Sequence, residues 1–227
     1  MMRVIRFSSL GALILIAATA PAQWLGFKDN PVSYTVGTEP FAVWISDVDK
    51  SNGPDLIVTN YEDDNVSVLL NKGDATFNTA VNYEIGNGPY ALVVADFNKD
   101  TWPDIAAALA NGSDVSVLLN DGDGTFAGAT AYAAGSGPTG IAAGDVNDDQ
   151  NLDLVAANFG DNDVSVLTGK GDGTFNEKVD YPVAGSPWTI ALADIDNSSG
   201  PDLLVGTLMG DNVSVLLNNG DGTFPGP

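Results

Sequence analysis

The chain has 227 residues, 44% of them hydrophobic, which suits one sizeable domain or a short repeat array and excludes a disordered chain. Thirty Asp and Glu against eight Lys and Arg give a formal net charge of −22, so nucleic acid is excluded as a partner, because phosphates need a basic surface. With no histidine and no cysteine, the usual general base, the Ser–His pair and zinc ligands are excluded together.

In chain order, residues 1–22 predict a secretory signal peptide. Arg3 and Arg6 make a basic start, 10–20 is apolar, and Ala20-Pro21-Ala22 offers a small-residue cleavage site. The apolar run falls short of the ~20 residues of a spanning helix, so no membrane span is expected after cleavage. The product is expected to be secreted, extracellular or at the cell surface. Cleavage removes two basic residues and no acid, leaving 6 minus 30, or −24.

The rest, 23–227, repeats with a period of 49. Asp47, Asp96, Asp145 and Asp194 open four acidic loops, and Phe77, Phe126, Phe175 and Phe224 close four GDGTF-like turns at the same spacing. The units run over about 27–77, 78–126, 127–175 and 176–224. In the second unit, 90–95 predicts a first strand, 105–109 a second, 115–119 a third and 126–132 a fourth; the third recurs as VSVLL or VSVLT at 66, 115, 164 and 213. These runs are short, rich in Val, Leu and Ile, and punctuated by Gly, Asp, Asn and Pro, which makes them strands. Four short strands at a period near the ~40–50 residues of propeller blades predict an all-β fold, a β-propeller of four four-stranded blades. Residues 27–36 align with the fourth strands, so the N-terminal strand is expected to close the last blade. A ring that failed to close would expose strand edges and favour homo-oligomerisation.

The acidic loops read DVDKSNGPD, DFNKDTWPD, DVNDDQNLD and DIDNSSGPD, with side-chain oxygens at positions one, three, five and nine. Calcium takes 6 to 8 oxygen ligands, and a compact loop of alternate oxygens wraps it. The expected ligands are Asp47, Asp49, Ser51 and Asp55; Asp96, Asn98, Asp100 and Asp104; Asp145, Asn147, Asp149 and Asp153; and Asp194, Asp196, Ser198 and Asp202. That makes up to four calcium ions. The competing explanation is a set of Asp/Asn turns that cap backbone amides without metal. Crowding at least three carboxylates into each of four loops favours the cation.

These loops, followed by LIV-type strands and VSVLLNxGDGTF, resemble the FG-GAP/VCBS repeats of the integrin-α N-terminal type. The resemblance implies a β-propeller with calcium between the first two strands of each blade. Family loops generally carry Gly at position six, where this chain has Asn52, Thr101, Gln150 and Ser199, and integrin-like rings have seven blades.

On the face opposite the loops, residues vary between repeats: Phe41, Tyr90, Thr139 and Trp188 after a recurrent Pro, and Tyr61, Ala110, Phe159 and Leu208 between the second and third strands. Aromatic residues are enriched at binding hot spots, which selects Phe41, Tyr61, Tyr90, Phe159 and Trp188 as a ligand-facing set for an extracellular protein or glycan; filling gaps between blades is their other use. The GDGTF turns are hairpin turns that need the positive φ of Gly, and no Lys or helix follows that would make them phosphate loops. Glu39, Glu62, Glu84 and Glu177 are the only Glu residues, and nothing in the sequence brings them together as a catalytic pair. The sequence therefore reads as a non-enzymatic, calcium-binding extracellular adhesion or binding module. A secreted polysaccharide hydrolase or lyase and a structural surface repeat are the alternatives.

Overall fold

The computed structural model describes residues 32–198 and 200–225. These residues form fifteen strands in four sheets. Blade 1 holds β1 (Pro40–Ser46), β2 (Asp55–Asn60), β3 (Asn65–Leu69) and β4 (Val81–Glu84); blade 2 holds β5 (Pro89–Ala95), β6 (Asp104–Leu109), β7 (Asp114–Leu118) and β8 (Thr130–Ala133). Blade 3 holds β9 (Pro138–Gly144), β10 (Asp153–Asn158), β11 (Asp163–Leu167) and β12 (Val179–Pro182); blade 4 holds β13 (Pro187–Ala193), β14 (Asp202–Thr207) and β15 (Val213–Leu216). Within each sheet the strands pair antiparallel in chain order. No helix among the described residues is long and apolar enough to cross a membrane.

The first strands β1, β5, β9 and β13 touch in series and form the inner wall, while β4, β8 and β12 lie outermost and exposed. The middle strands are buried on both faces, as continuous Val, Ile, Leu and Ala runs require. The core consists of three layers between successive blades. In each layer the trailing face of one blade meets the leading face of the next: Val48, Ile57, Val66 and Val68 of blade 1 pack on Leu92, Ile105, Leu118 and Phe126 of blade 2, and two further layers repeat this.

A second contact clamps the blades. The GDGTF-like turns of blades 2, 3 and 4 dock on the acidic loop of the blade before, with Asn120 Nδ2 donating to Val48 O at 3.0 Å, Gly173 N to Phe97 O at 3.1 Å and Asn218 Nδ2 to Val146 O at 2.8 Å. The fit leaves no room for a side chain at Gly124, whose Cβ would lie 2.8 Å from Asp49 Cβ.

Two expectations change. The fourth strand begins at Thr130 and not near Phe126, because Phe126 forms an isolated bridge with Asn120 to close the turn and its ring packs on Tyr83 of the preceding blade. The strand expected to close blade 4 falls on 27–36, of which 27–31 lie outside the described residues; residues 32–36 form no ladder, and the blade 4 sheet has three strands. Tyr34 instead packs edge-on against Phe77 of blade 1, ring centroids 5.4 Å apart. The period matches these surfaces correctly, but blades 1 and 4 do not meet: Val43 on one and Val213 on the other are both exposed.

Candidate calcium loops and an aromatic face

Each acidic loop leaves the end of a first strand and returns into a second, so its ninth residue is paired in the β-ladder with the residue before its first. Ser46 pairs with Asp55 and Ala95 with Asp104. The ninth-position acids Asp55, Asp104, Asp153 and Asp202 are wholly buried, and each spans two backbone amides. Asp104 accepts from Phe97 N at 2.9 Å and Asn120 N at 2.8 Å; Asp153 accepts from Val146 N and Gly169 N, both at 2.8 Å. These residues therefore tie the loop to the turn after the third strand, a structural role the spacing alone did not show.

Burial pushes the carboxyls of Asp104 and Asp153 up to about 6, against the pull of those amides, with the neighbouring loop acids adding to the rise. Asp55 is raised for the same reason. A buried acid that resists ionising beside other acids is stabilised as carboxylate by a hard cation.

The loops differ in how far their acids converge. Asp47, Asp49 and Asp55 bring oxygens within 4.8 Å of one another, and Asp194, Asp196 and Asp202 do the same. In the two middle loops Asn occupies position three, and its amide holds the carboxylate at position five: Asn98 Nδ2 donates to Asp100 at 2.8 Å and Asn147 Nδ2 to Asp149 at 3.1 Å. Position five also takes part in the turn through its amide, Ser51 N donating to Asp47 and Asp49, Asp100 N to Asp96, and Asp149 N to Asp145. In the fourth loop Ser198 N donates to Asp196 at 2.9 Å. The donor set, carboxylate and amide oxygens on a tight loop, fits calcium.

Position six adopts the left-handed conformation its family counterpart reserves for glycine, with φ of 61° at Asn52, 75° at Thr101 and 66° at Gln150. Lys50 links the first two loops, its Nζ donating to Thr101 Oγ1 at 2.7 Å and lying 4.0 Å from the centroid of the Trp102 ring.

At the other end of the first strands lies the aromatic face. A seven-residue strand rises ~3.3 Å per residue, which sets this face ~20 Å from the acidic loops. The first two strands of each blade lose register after the recurrent Pro: Pro89 pairs with Leu109 but Ala91 with Ala108, and Pro187 with Thr207 but Thr189 with Gly206. Tyr90 and Trp188 are the extra residues of these bulges, Thr139 is its counterpart in blade 3, and Phe41 lies in the wider irregularity of blade 1. A bulge re-aims a side chain off the ladder; the Pro before each position was the visible signal for it.

The five aromatic residues come together. Ring centroids lie 4.0 Å apart for Phe41 and Tyr90, 5.6 Å for Phe41 and Tyr61, 5.3 Å for Tyr90 and Trp188, and 5.6 Å for Phe159 and Trp188. All four blades contribute a ring there, Phe159 coming from blade 3, whose Thr139 is buried beneath and donates to Trp188 O at 3.1 Å. Phe41 is exposed and the other four are half-buried, so the cluster both fills the end of the inner wall and presents ring surface to solvent. The Tyr61 hydroxyl is held by Asn111 Oδ1 at 2.6 Å. Among the described residues, the convergent sets of three acid side chains are those of the first and fourth loops.

The FG-GAP-like repeat family matches the chain three times, over residues 47–107, 96–156 and 145–205. No curated protein matches it. Among solved structures it is similar to a lectin of Agrocybe aegerita, described by its specific recognition of non-reducing terminal N-acetylglucosamine, with 25% identity, a TM-score of 0.57, and coverage of 83% of this chain and 52% of that one. It also shares its fold with BBS1N, solved in complex with ARL6DN, at 14% identity and a TM-score of 0.52, covering 80% of this chain and 56% of that one. The chain thus spans about half the length of the solved chains it matches.

Proposed function

The chain belongs to the FG-GAP-like repeat family, and from that premise we propose that it is an exported, calcium-stabilised binding module that takes a neutral glycan on its aromatic face. The observation that carries this reading is the gathering of Phe41, Tyr61, Tyr90, Phe159 and Trp188, from all four blades, into one half-exposed cluster. Ring faces stack on the C–H faces of pyranose sugars, while nearby polar groups such as the Asn111 amide orient hydroxyls. A lectin at 25% identity over 83% of the chain supports a sugar over a protein ligand. The net charge of −22 repels uronic, sialylated and sulfated glycans, which narrows the class to neutral ones.

Calcium has a supporting part in this reading. Bound in the acidic loops, it would neutralise crowded carboxylates where each loop meets the turn of the next blade, and so set the relative placement of blades whose other ends make the aromatic face. The test is a neutral-glycan array probed with the calcium-loaded protein, followed by calorimetry on the best ligand with Trp188→Ala and Phe41→Ala. Loss of sugar binding in both, with the calcium-dependent rise in Tm retained, is expected. Unchanged sugar affinity in both variants, or no sugar bound at all, would overturn the reading and leave the aromatic face to a protein partner.

A further inference from the structure

We propose that the trailing face of blade 4 docks on the leading face of blade 1 of a second copy of this chain, by the joint that links each blade to the next within the chain. The proposal is independent of the glycan reading. The two end faces are exposed where their internal counterparts are buried. On blade 4, Ile195 is 46% and Val213 63% exposed, whereas their counterparts one to three periods back, Val48, Phe97 and Val146, and Val66, Val115 and Val164, are at most 2% exposed. On blade 1, Val43 is 62% exposed against at most 9% for Leu92, Ile141 and Ile190. Positions 66 and 92, 115 and 141, and 164 and 190 share one core layer each, so 213 and 43 of two copies are the next such pair.

Two polar and topological features point to the same partner. Asn120 and Asn218 each spend one amide hydrogen inside their blade, on Pro103 O and Pro201 O, and the other on the preceding blade. Asn71 makes the inner bond, to Pro54 O at 2.8 Å, and keeps its second hydrogen for a carbonyl that no described residue supplies; Ile195 O of another copy holds the matching position. Among the described residues the sheet of blade 4 has three strands, while Tyr34 already stands against Phe77 as Tyr83, Tyr132 and Tyr181 of the fourth strands stand against Phe126, Phe175 and Phe224, at 5.4 Å against 5.2–5.3 Å. Residues 32–36 of one copy are thus placed to complete blade 4 of the other. One position departs from the internal joints: Ala75 stands where Gly124, Gly173 and Gly222 let the preceding loop come so close that a Cβ would lie 2.8 to 3.4 Å from its Cβ atoms, so at this joint the loop must shift to admit the methyl.

A leading face on a trailing face is a heterologous contact, and two copies with two such joints close on each other. Sedimentation of the calcium-loaded chain is expected to give a dimer. Val43→Lys and Val213→Asp should each sediment as a monomer with the wild-type Tm or close to it, and an equimolar mixture should recover a dimer, in which one joint pairs Lys with Asp and the other is unsubstituted. Ala75→Gly should tighten the wild-type dimer severalfold. A wild-type chain that stays monomeric at high concentration, or a dimer that survives both charge substitutions, would overturn the proposal. Because the chain contains no cysteine, Val43→Cys and Val213→Cys give a second readout: disulfide cross-linking in the mixture of the two single variants supports the joint, while its formation only within a doubly substituted monomer shows self-closure and overturns it.

Discussion

Thr101 shows how a single residue departs from its loop. Its φ of 75° is a conformation glycine adopts freely and a β-branched residue resists, at a cost of about 1–2 kcal/mol. Thr101→Gly is therefore expected to stabilise the protein by about 1 kcal/mol in urea unfolding, net of the exposed bond from Lys50 that it loses, while Asn52→Gly gains less because Asn tolerates this region. The ninth-position acids pose the opposite case. Asp104→Ala leaves the amides of Phe97 and Asn120 buried without an acceptor, a loss of about 2–4 kcal/mol with or without calcium. Asp49→Ala strips an acid from the half-exposed part of its loop and should lower only the calcium-dependent part of the melting temperature. Equal effects of the two substitutions in chelator would show that the ninth position has no separate structural task. Side-chain oxygens at alternate positions announced a cation loop, but nothing in the spacing told a ligand from a brace, because that depends on amides 7 and 16 residues away.

At the scale of strands, the repeat made most elements legible: the recurring VSVL runs are β3, β7, β11 and β15, and the residues after each acidic loop are β2, β6, β10 and β14. What the period hid are the deviations that carry specificity. Gly169 stands where other repeats have Asn71, Asn120 and Asn218, and Leu152 where they have Pro; a Cβ at 169 would lie 2.1 Å from Leu152 O, so the two replacements belong together. Blades 1 and 3 likewise differ from 2 and 4 by a polar chain across three strands. Asn158 Nδ2 donates to Asp163 and to Ser165 Oγ, which donates to Asp180, and the Asn60 amide does the same with Asn65 and Ser67. The Oδ1 atoms of Asn60 and Asn158 are buried without a protein partner, a place suited to an ordered water. Burial raises the Asp163 carboxyl above its ordinary value, with Asp180 and Asp161 adding to the rise, so the folded state holds its proton more tightly than the unfolded chain does. The stability contribution of this group is then greatest below the unfolded value of about 4 and falls as pH rises through the raised one. Asp163→Asn, the residue blade 1 carries at the equivalent Asn65, removes that slope. Its unfolding midpoint relative to wild type should rise between pH ~4 and neutrality; a difference that does not change with pH contradicts the assignment.

The whole molecule is governed by its charge and by the number of blades in the arc. The repeat tells which face matches which, but the angle through which each joint turns is a property of packed side chains, and so the open arc was not legible where the propeller architecture was. Charge acts on every joint at once. Each acidic loop carries three carboxylates, the third loop four, and the first three loops sit under the turn of the following blade, so repulsion within a loop weakens the contact on which the next blade rests. Sodium chloride relieves this only by screening, with a Debye length that shortens from ~10 Å at 0.1 M to ~3 Å at 1 M. Even at its shortest that length is comparable with the spacing between acids of one loop, whose oxygens lie within 4.8 Å in the first and fourth loops. A cation seated among the oxygens acts inside that length. In chelator, raising sodium chloride across that range should therefore lift Tm by only a few degrees. Millimolar calcium at constant ionic strength should lift it further, with magnesium, which demands tighter octahedral geometry, less effective. Calorimetric titration of the stripped chain should count up to four ions, with the first and fourth loops, whose acids already converge, filling ahead of the two whose third position is Asn. If sodium chloride alone reproduces the calcium effect, the loops act as a diffuse charge cloud and hold no ion.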